Sequence, residues 1–184
     1  MRDVRPQLQF PPETLLLAQS VKVVFFDIDG VFTDGGLYFD GHGEALKRFH
    51  TLDGYGIKLL QAAGITPAVV TGRDSPALRK RLAALHVTHV AYGQEDKLPA
   101  AQQILRTLGQ TWDDAAAMGD DWPDLPLLRR CAFACVPAHA HAECLALAHW
   151  TPPAPAGQGA VRALCDLLVM ANGQYRALLA QASR

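Results

Sequence analysis

A chain of 184 residues with 49% apolar and 19% charged side chains can close one medium-sized core without disulfide staples or a second domain. Its formal net charge of −1 removes the electrostatic case for nucleic acid or an anionic membrane as partner. No apolar run approaches a membrane span, residues 1–20 lack a secretory pattern, and the four cysteines include no C-x-x-C pair, so reduced thiols in a cytoplasmic protein are expected.

In chain order, residues 1–20 read as an N-terminal extension, with Pro6, Pro11 and Pro12 allowing at most one helical turn up to residue 19. One domain is expected over 21–184. Strand-like runs at 21–27, 65–71, 87–92, 115–119 and 132–136 alternate with helical patterns at 54–63, 75–85, 96–108, 122–130 and 139–145. That alternation predicts an α/β fold, a Rossmann-like parallel sheet flanked by helices with right-handed crossovers. Residues 34–50 break the pattern and read as a β-hairpin turning at Asp40–Gly43. The tail, 151–184, opens with the Pro/Gly-rich loop 151–159 and continues into a helix near 160–171.

Ligand crevices in such sheets lie outside the carboxyl ends of the strands. The polar clusters fall there. Asp27 and Asp29 follow the first strand, Thr71-Gly72-Arg73 the second, and Asp120-Asp121 the strand at 115–119, while Lys97 opens the helix after 87–92. Each alone has an ordinary explanation as a turn, a helix cap or a solvated lysine; together, at one sheet edge, they form a constellation. Asp27, Asp29 and Asp120 would repel one another unless a hard divalent cation joins them, and oxygen ligands in a partly hydrated site suit Mg²⁺. A carboxylate held against a phosphate is a competent nucleophile, a second carboxylate can shuttle a proton, and the Thr71 hydroxyl and Lys97 ammonium would hold the remaining phosphate oxygens. Gly30 would let the backbone turn close to the phosphate.

The ordered set FFDIDGV, VVTGR, Lys97 before a helix, and MGDDWPD resembles the haloacid-dehalogenase-like phosphohydrolases along nearly the whole chain. The resemblance implies Asp27 as nucleophile and metal ligand, and Asp29 as general acid/base whose backbone carbonyl also faces the metal. It further implies Thr71 and Lys97 as phosphate-orienting residues, Asp120 as a metal ligand, and Asp121 and Asp124 as supporting acidic positions. Only the hairpin stands where larger members insert a cap domain, as in the capless branch. Within that branch, GEALKRFHTLDGYGIK and AGQGAVRALCDLL resemble the phosphatases of 3-deoxy-D-manno-octulosonate 8-phosphate, which act in lipopolysaccharide biosynthesis.

That likeness implies a homotetramer in which hairpins pack together and a neighbouring subunit closes each site. It implies substrate contacts from Gly72, Arg73 and Arg81, and from a sugar-binding loop comprising His50, Thr51, Asp53 and Gly54 with Lys58. Arg73 suits a carboxylate and favours an octulosonate over a nonulosonate 9-phosphate. Leu52 and Gln158 stand where relatives often carry arginine, and Arg162 is the expected substitute. The two other readings are a phosphatase for a nonulosonate 9-phosphate and a non-catalytic regulatory tetramer. His139 and His141, near Cys135 and Cys144, read as structural, Trp122 as core or interface packing, and Tyr38 and Phe39 as exposed on a single chain.

Overall fold

A computed structural model describes residues 4–184. Five parallel strands, β1 (Val23–Phe26), β4 (Thr66–Val70), β5 (His89–Ala91), β6 (Ala115–Met118) and β7 (Phe133–Cys135), form one sheet in the order β5-β4-β1-β6-β7. β2 (Tyr38–Asp40) and β3 (Gly43–Leu46) form the separate antiparallel hairpin. Phe26 pairs with Val69 on one side and Met118 on the other, which places the ends of β1, β4 and β6 side by side.

The run Val23–Phe26 is apolar without alternation because both sheet faces are covered. Val24 and Phe26 enter one core, with α2 (Thr51–Ala62), α3 (Pro76–Ala84) and α7 (Ala160–Ala171). Val23 and Phe25 enter the other, with α4 (Lys97–Leu108), α5 (Leu125–Leu128) and α6 (Ala142–Leu145). The three alanines of β6 keep the sheet centre thin. All four cysteines are buried and free.

Among the differences from expectation, three bear on how the domain is built. The lead-in contains a seven-residue helix, α1 (Pro12–Ala18), rather than at most one turn. Pro12 sits in its first turn, where proline lacks no hydrogen bond, so here proline starts a helix. Ala18 is buried and Phe10 meets Trp150 edge-on, so this segment is docked on the domain. Secondly, α2 begins at Thr51, with His50 at its N-cap, so the expected sugar loop is the first helical turn. Gly54 and Gly56 disguised that start. A Cβ at Gly56 would press on Cys165 and Arg162, so the glycines are there for close helix packing, not as breakers. Finally, α8 (Tyr175–Ala182) follows α7 and adds a helix that the sequence pattern did not mark.

Candidate active site

At the carboxyl edge of β1, β4 and β6 a crevice of about 270 Å³ opens. Asp27, Asp29, Thr71, Gly72, Arg73, Lys97, Asp120, Asp121 and Asp124 all line it, joined by Gln94, Glu95 and Pro123. Residues scattered over nearly a hundred positions meet because three adjacent parallel strands end together.

Each side chain is aimed by its element. The Asp27 N–H donates to Met118 O (3.0 Å), extending the ladder one residue past β1. Thr71 closes β4 in the same way on Ala91 O (3.0 Å), and its hydroxyl oxygen accepts the Arg73 N–H (3.3 Å), leaving the hydroxyl proton free to donate. Lys97 opens α4, where a cation opposes the helix dipole. Two carboxylates offset that: its Nζ lies 2.7 Å from Asp27 Oδ1 and 2.6 Å from Asp124 Oδ1. Burial alone would pull the Lys97 pKa down, but Asp27 and Asp124 together hold it above its ordinary value.

The loop after β6 is a reciprocal cap. Asp121 accepts the Trp122 N–H (2.8 Å), and Asp124 Oδ2 accepts the N–H groups of Asp120 (3.1 Å) and Asp121 (3.4 Å). Capping is thus done by Asp121 and Asp124, which frees the Asp120 side chain for the crevice. Gly30, at φ +87°, has a further task besides the tight turn. A Cβ there would lie 2.1 Å from Asp120 Oδ2, so the glycine makes room for that carboxylate.

Asp27, Asp120 and Asp124 each present an oxygen within 4.8 Å of the others, a grouping suited to a metal ion. Burial first, then the charge of Asp124, push Asp27 up to about 6. Burial, then Asp27 and Asp124, push Asp120 up to about 7. Carboxyl groups raised by desolvation and mutual repulsion are what a hard divalent cation would ionise, so this donor set fits such an ion. Asp124 already serves Lys97 and two N–H groups, so the open oxygens belong to Asp27 and Asp120. The Asp29 carboxylate lies outside the trio, leaving only its backbone carbonyl as an expected metal contact. Its Oδ1 meets Lys47 Nζ at 2.5 Å and its Oδ2 lies 3.6 Å from Arg73 Nε.

The expected sugar-binding residues stand away from this crevice. Asp53 is fully buried, and its Oδ1 accepts the Arg162 N–H (2.9 Å), so it caps α7. Arg81 donates to His50 O (3.4 Å), lies over the Phe49 ring and packs against Gly54. Thr51 and Lys58 are exposed on α2. Within one chain, then, Arg81, His50, Thr51, Asp53, Gly54 and Lys58 form a separate corner. Arg162, the expected substitute cation, is engaged locally: its Nε donates to both Asp166 oxygens (2.9 Å each) and its guanidinium stacks on Tyr55.

Trp122 is 60% exposed, so core packing does not describe it; it donates to His141 Nδ1 (3.1 Å) beside the site. His141 in turn caps α6, a structural role. Sequence reasoning missed Lys47. Its neighbours in sequence are exposed hairpin residues, and only the fold of the hairpin back onto β1 buries it.

No protein-family model matches the chain. It is 38% identical over 155 residues to the 3-deoxy-D-manno-octulosonate 8-phosphate phosphatase KdsC of Yersinia pestis, covering 84% of this chain and 83% of that protein. A Legionella pneumophila structure assigned to the HAD superfamily, subfamily III A, is 39% identical, with a TM-score of 0.88 over 94% of this chain and 95% of that one. The 3-deoxy-D-manno-octulosonate 8-phosphate phosphatase of Moraxella catarrhalis, crystallised with magnesium ion, phosphate ion and KDO, is 31% identical. Its TM-score is also 0.88, over 92% of this chain and 97% of that one.

Proposed function

The chain belongs to the 3-deoxy-D-manno-octulosonate 8-phosphate phosphatase family of HAD-superfamily hydrolases, phosphoric monoester hydrolases, and on that footing we propose that it hydrolyses this sugar-acid phosphate with Mg²⁺ through an aspartyl-phosphate. The observation that carries the reading is the convergence of Asp27, Asp120 and Asp124 at the end of the central strand, with Lys97 paired to Asp27 and Asp124. Residues Asp27 and Asp120, with the backbone carbonyl of Asp29, would hold the ion. Mg²⁺ there would neutralise the carboxylates and polarise the phosphoryl group.

Asp27 attacks phosphorus through a carboxylate oxygen. The bond from phosphorus to the sugar oxygen breaks as the bond to Asp27 forms, and Asp29 supplies the proton that the departing alkoxide needs. Water then attacks the aspartyl-phosphate. Asp29 takes its proton, and phosphate leaves with Asp27 restored. Throughout, Lys97 and the Thr71 hydroxyl hold the non-reacting phosphoryl oxygens, and Asp124 keeps Lys97 in place. Arg73, on the crevice wall and half-exposed, is the candidate for the substrate carboxylate. Arg81 and the α2 residues His50, Thr51, Asp53, Gly54 and Lys58 lie outside the crevice of their own chain. In the proposed homotetramer, the exposed members of this corner would reach a neighbouring subunit's site. The proposed setting is the cytoplasm, within lipopolysaccharide biosynthesis; among the described residues no helix is long and apolar enough to cross a membrane.

A phosphate-release screen over sugar-acid phosphates with Mg²⁺ tests the reading. The 8-phosphate of 3-deoxy-D-manno-octulosonate should give the highest kcat/KM, ahead of nonulosonate 9-phosphates, and Asp27→Asn should abolish turnover with the fold intact. Preference for a 9-phosphate would reassign the substrate, and an active Asp27→Asn enzyme would exclude the covalent route.

A further inference from the structure

We propose that Lys47, carried in by the hairpin, is a positioning residue for Asp29: its ammonium anchors Oδ1, so that Oδ2 is the oxygen presented to the substrate. The inference rests on the reading of Asp29 as general acid/base. Lys47 follows directly on β3 in a hairpin whose other residues are largely exposed, yet its side chain is only 2% exposed. Its Nζ lies 2.5 Å from Asp29 Oδ1 and 3.2 Å from Glu44 Oε2. Asp29 lines the crevice, whereas Lys47 is not among its lining residues. Among the described residues the other oxygen, Oδ2, has only the loose contact to Arg73 Nε at 3.6 Å, and Arg73 is itself a wall of the crevice.

Anchoring the hairpin is a poor explanation for this arrangement. A buried ion pair is weak support for stability, since desolvating both charges offsets most of their attraction, and an apolar residue of similar size would do as well. What the pair does achieve is to fix one rotamer of a carboxylate that follows the strand end in a turn, with no helix or ladder to hold its side chain. A reacting group misplaced by an ångström loses much of its rate, so holding that rotamer has catalytic value.

The test is a double-mutant cycle in single-turnover hydrolysis of 3-deoxy-D-manno-octulosonate 8-phosphate with Mg²⁺, using wild type, Lys47→Met, Asp29→Asn and the double variant. Lys47→Met should lower the limiting rate of the chemical step roughly 10–100-fold with the half-saturating concentration little changed, as removal of a supporting partner does. In the Asp29→Asn background the same substitution should have no further effect, because Lys47 acts through Asp29. Lys47→Gln, which keeps the length and one donor, should lose less, and it carries the same cycle if circular dichroism shows Lys47→Met misfolded. An equal loss in both backgrounds, or near-wild-type turnover by Lys47→Met, overturns the proposal. Near-wild-type turnover by Asp29→Asn removes its premise instead, and is told apart because that variant contains Lys47.

Discussion

Asp27 and Asp120 give the crevice its pH dependence. In the metal-free protein they hold protons up to about 6 and about 7, against an ordinary 3.8. Both folded values are raised, so folding takes up protons between these limits. The stability they contribute is fully present below about pH 4 and is lost as pH rises through 6 to 7. A divalent cation demands the ionised forms, so its stabilisation must grow in the opposite direction. Thermal melts at pH 5.5 and 8, with and without Mg²⁺, should show a clearly larger metal-induced rise in Tm at pH 8. An equal or larger rise at pH 5.5 would count against Asp27 and Asp120 as the ligands. These residues, with Thr71 and Lys97, were legible from sequence because the strand-end rule turns position along the chain into position in space. Lys47 was not, since nothing local distinguishes it from the exposed residues around it.

The α2–α7 pair is where element-level reading failed and where its correction can be tested. Asp53 was expected at a sugar and instead caps a helix more than a hundred residues away, a contact that no local pattern announces. Burial raises its pKa, while the N–H groups of Arg162 and Gly159 act to lower it, as expected of a carboxylate seated at a helix N-terminus. Asp53→Ala should cost about 1–2 kcal/mol, a fall in Tm of roughly 3–6 °C in a chain this size. Asp53→Asn, which keeps an acceptor, should cost less. Differential scanning calorimetry distinguishes this from a substrate contact, for which Tm would hold while KM rose. Likewise α1 is hidden in the sequence because proline reads as a breaker, whereas its position makes it a starter.

At the scale of the whole molecule, Leu37, Tyr38, Phe39 and Leu46 stand exposed on and beside the hairpin, Phe39 at 61%. Clustered apolar side chains of this kind on a single chain call for a covering surface, and the proposed tetramer supplies one. Light scattering coupled to gel filtration should find four copies for the wild type and a smaller species for Phe39→Glu. A wild-type monomer would refute the assembly. If assembly brings the α2 corner of one chain over the crevice of the next, kcat/KM should fall with dissociation even though no residue of the crevice has changed. The parallel sheet and its strand order follow from the alternation of patterns, but the corner formed by Arg81, His50 and Gly54 depends on two helices closing over glycines, which composition reads as weakness.

The central placement of β1 has a consequence for how the protein comes into being. Asp27 is on the first strand of the sheet, Lys97 on a helix reached after three strands of it, and Asp124 beyond the fourth. No fragment released early from the ribosome can hold the charge cluster, since its members meet only when β4 and β6 have both docked against β1. Parallel pairing of this kind is slow because its contacts are far apart in sequence. Until then Asp27 is an ordinary solvated carboxylate, with no raised pKa and no ammonium beside it. On the proposed mechanism, chemical competence therefore arises late and all at once, since neither a nascent nor a partly unfolded chain brings the Lys97 ammonium to Asp27.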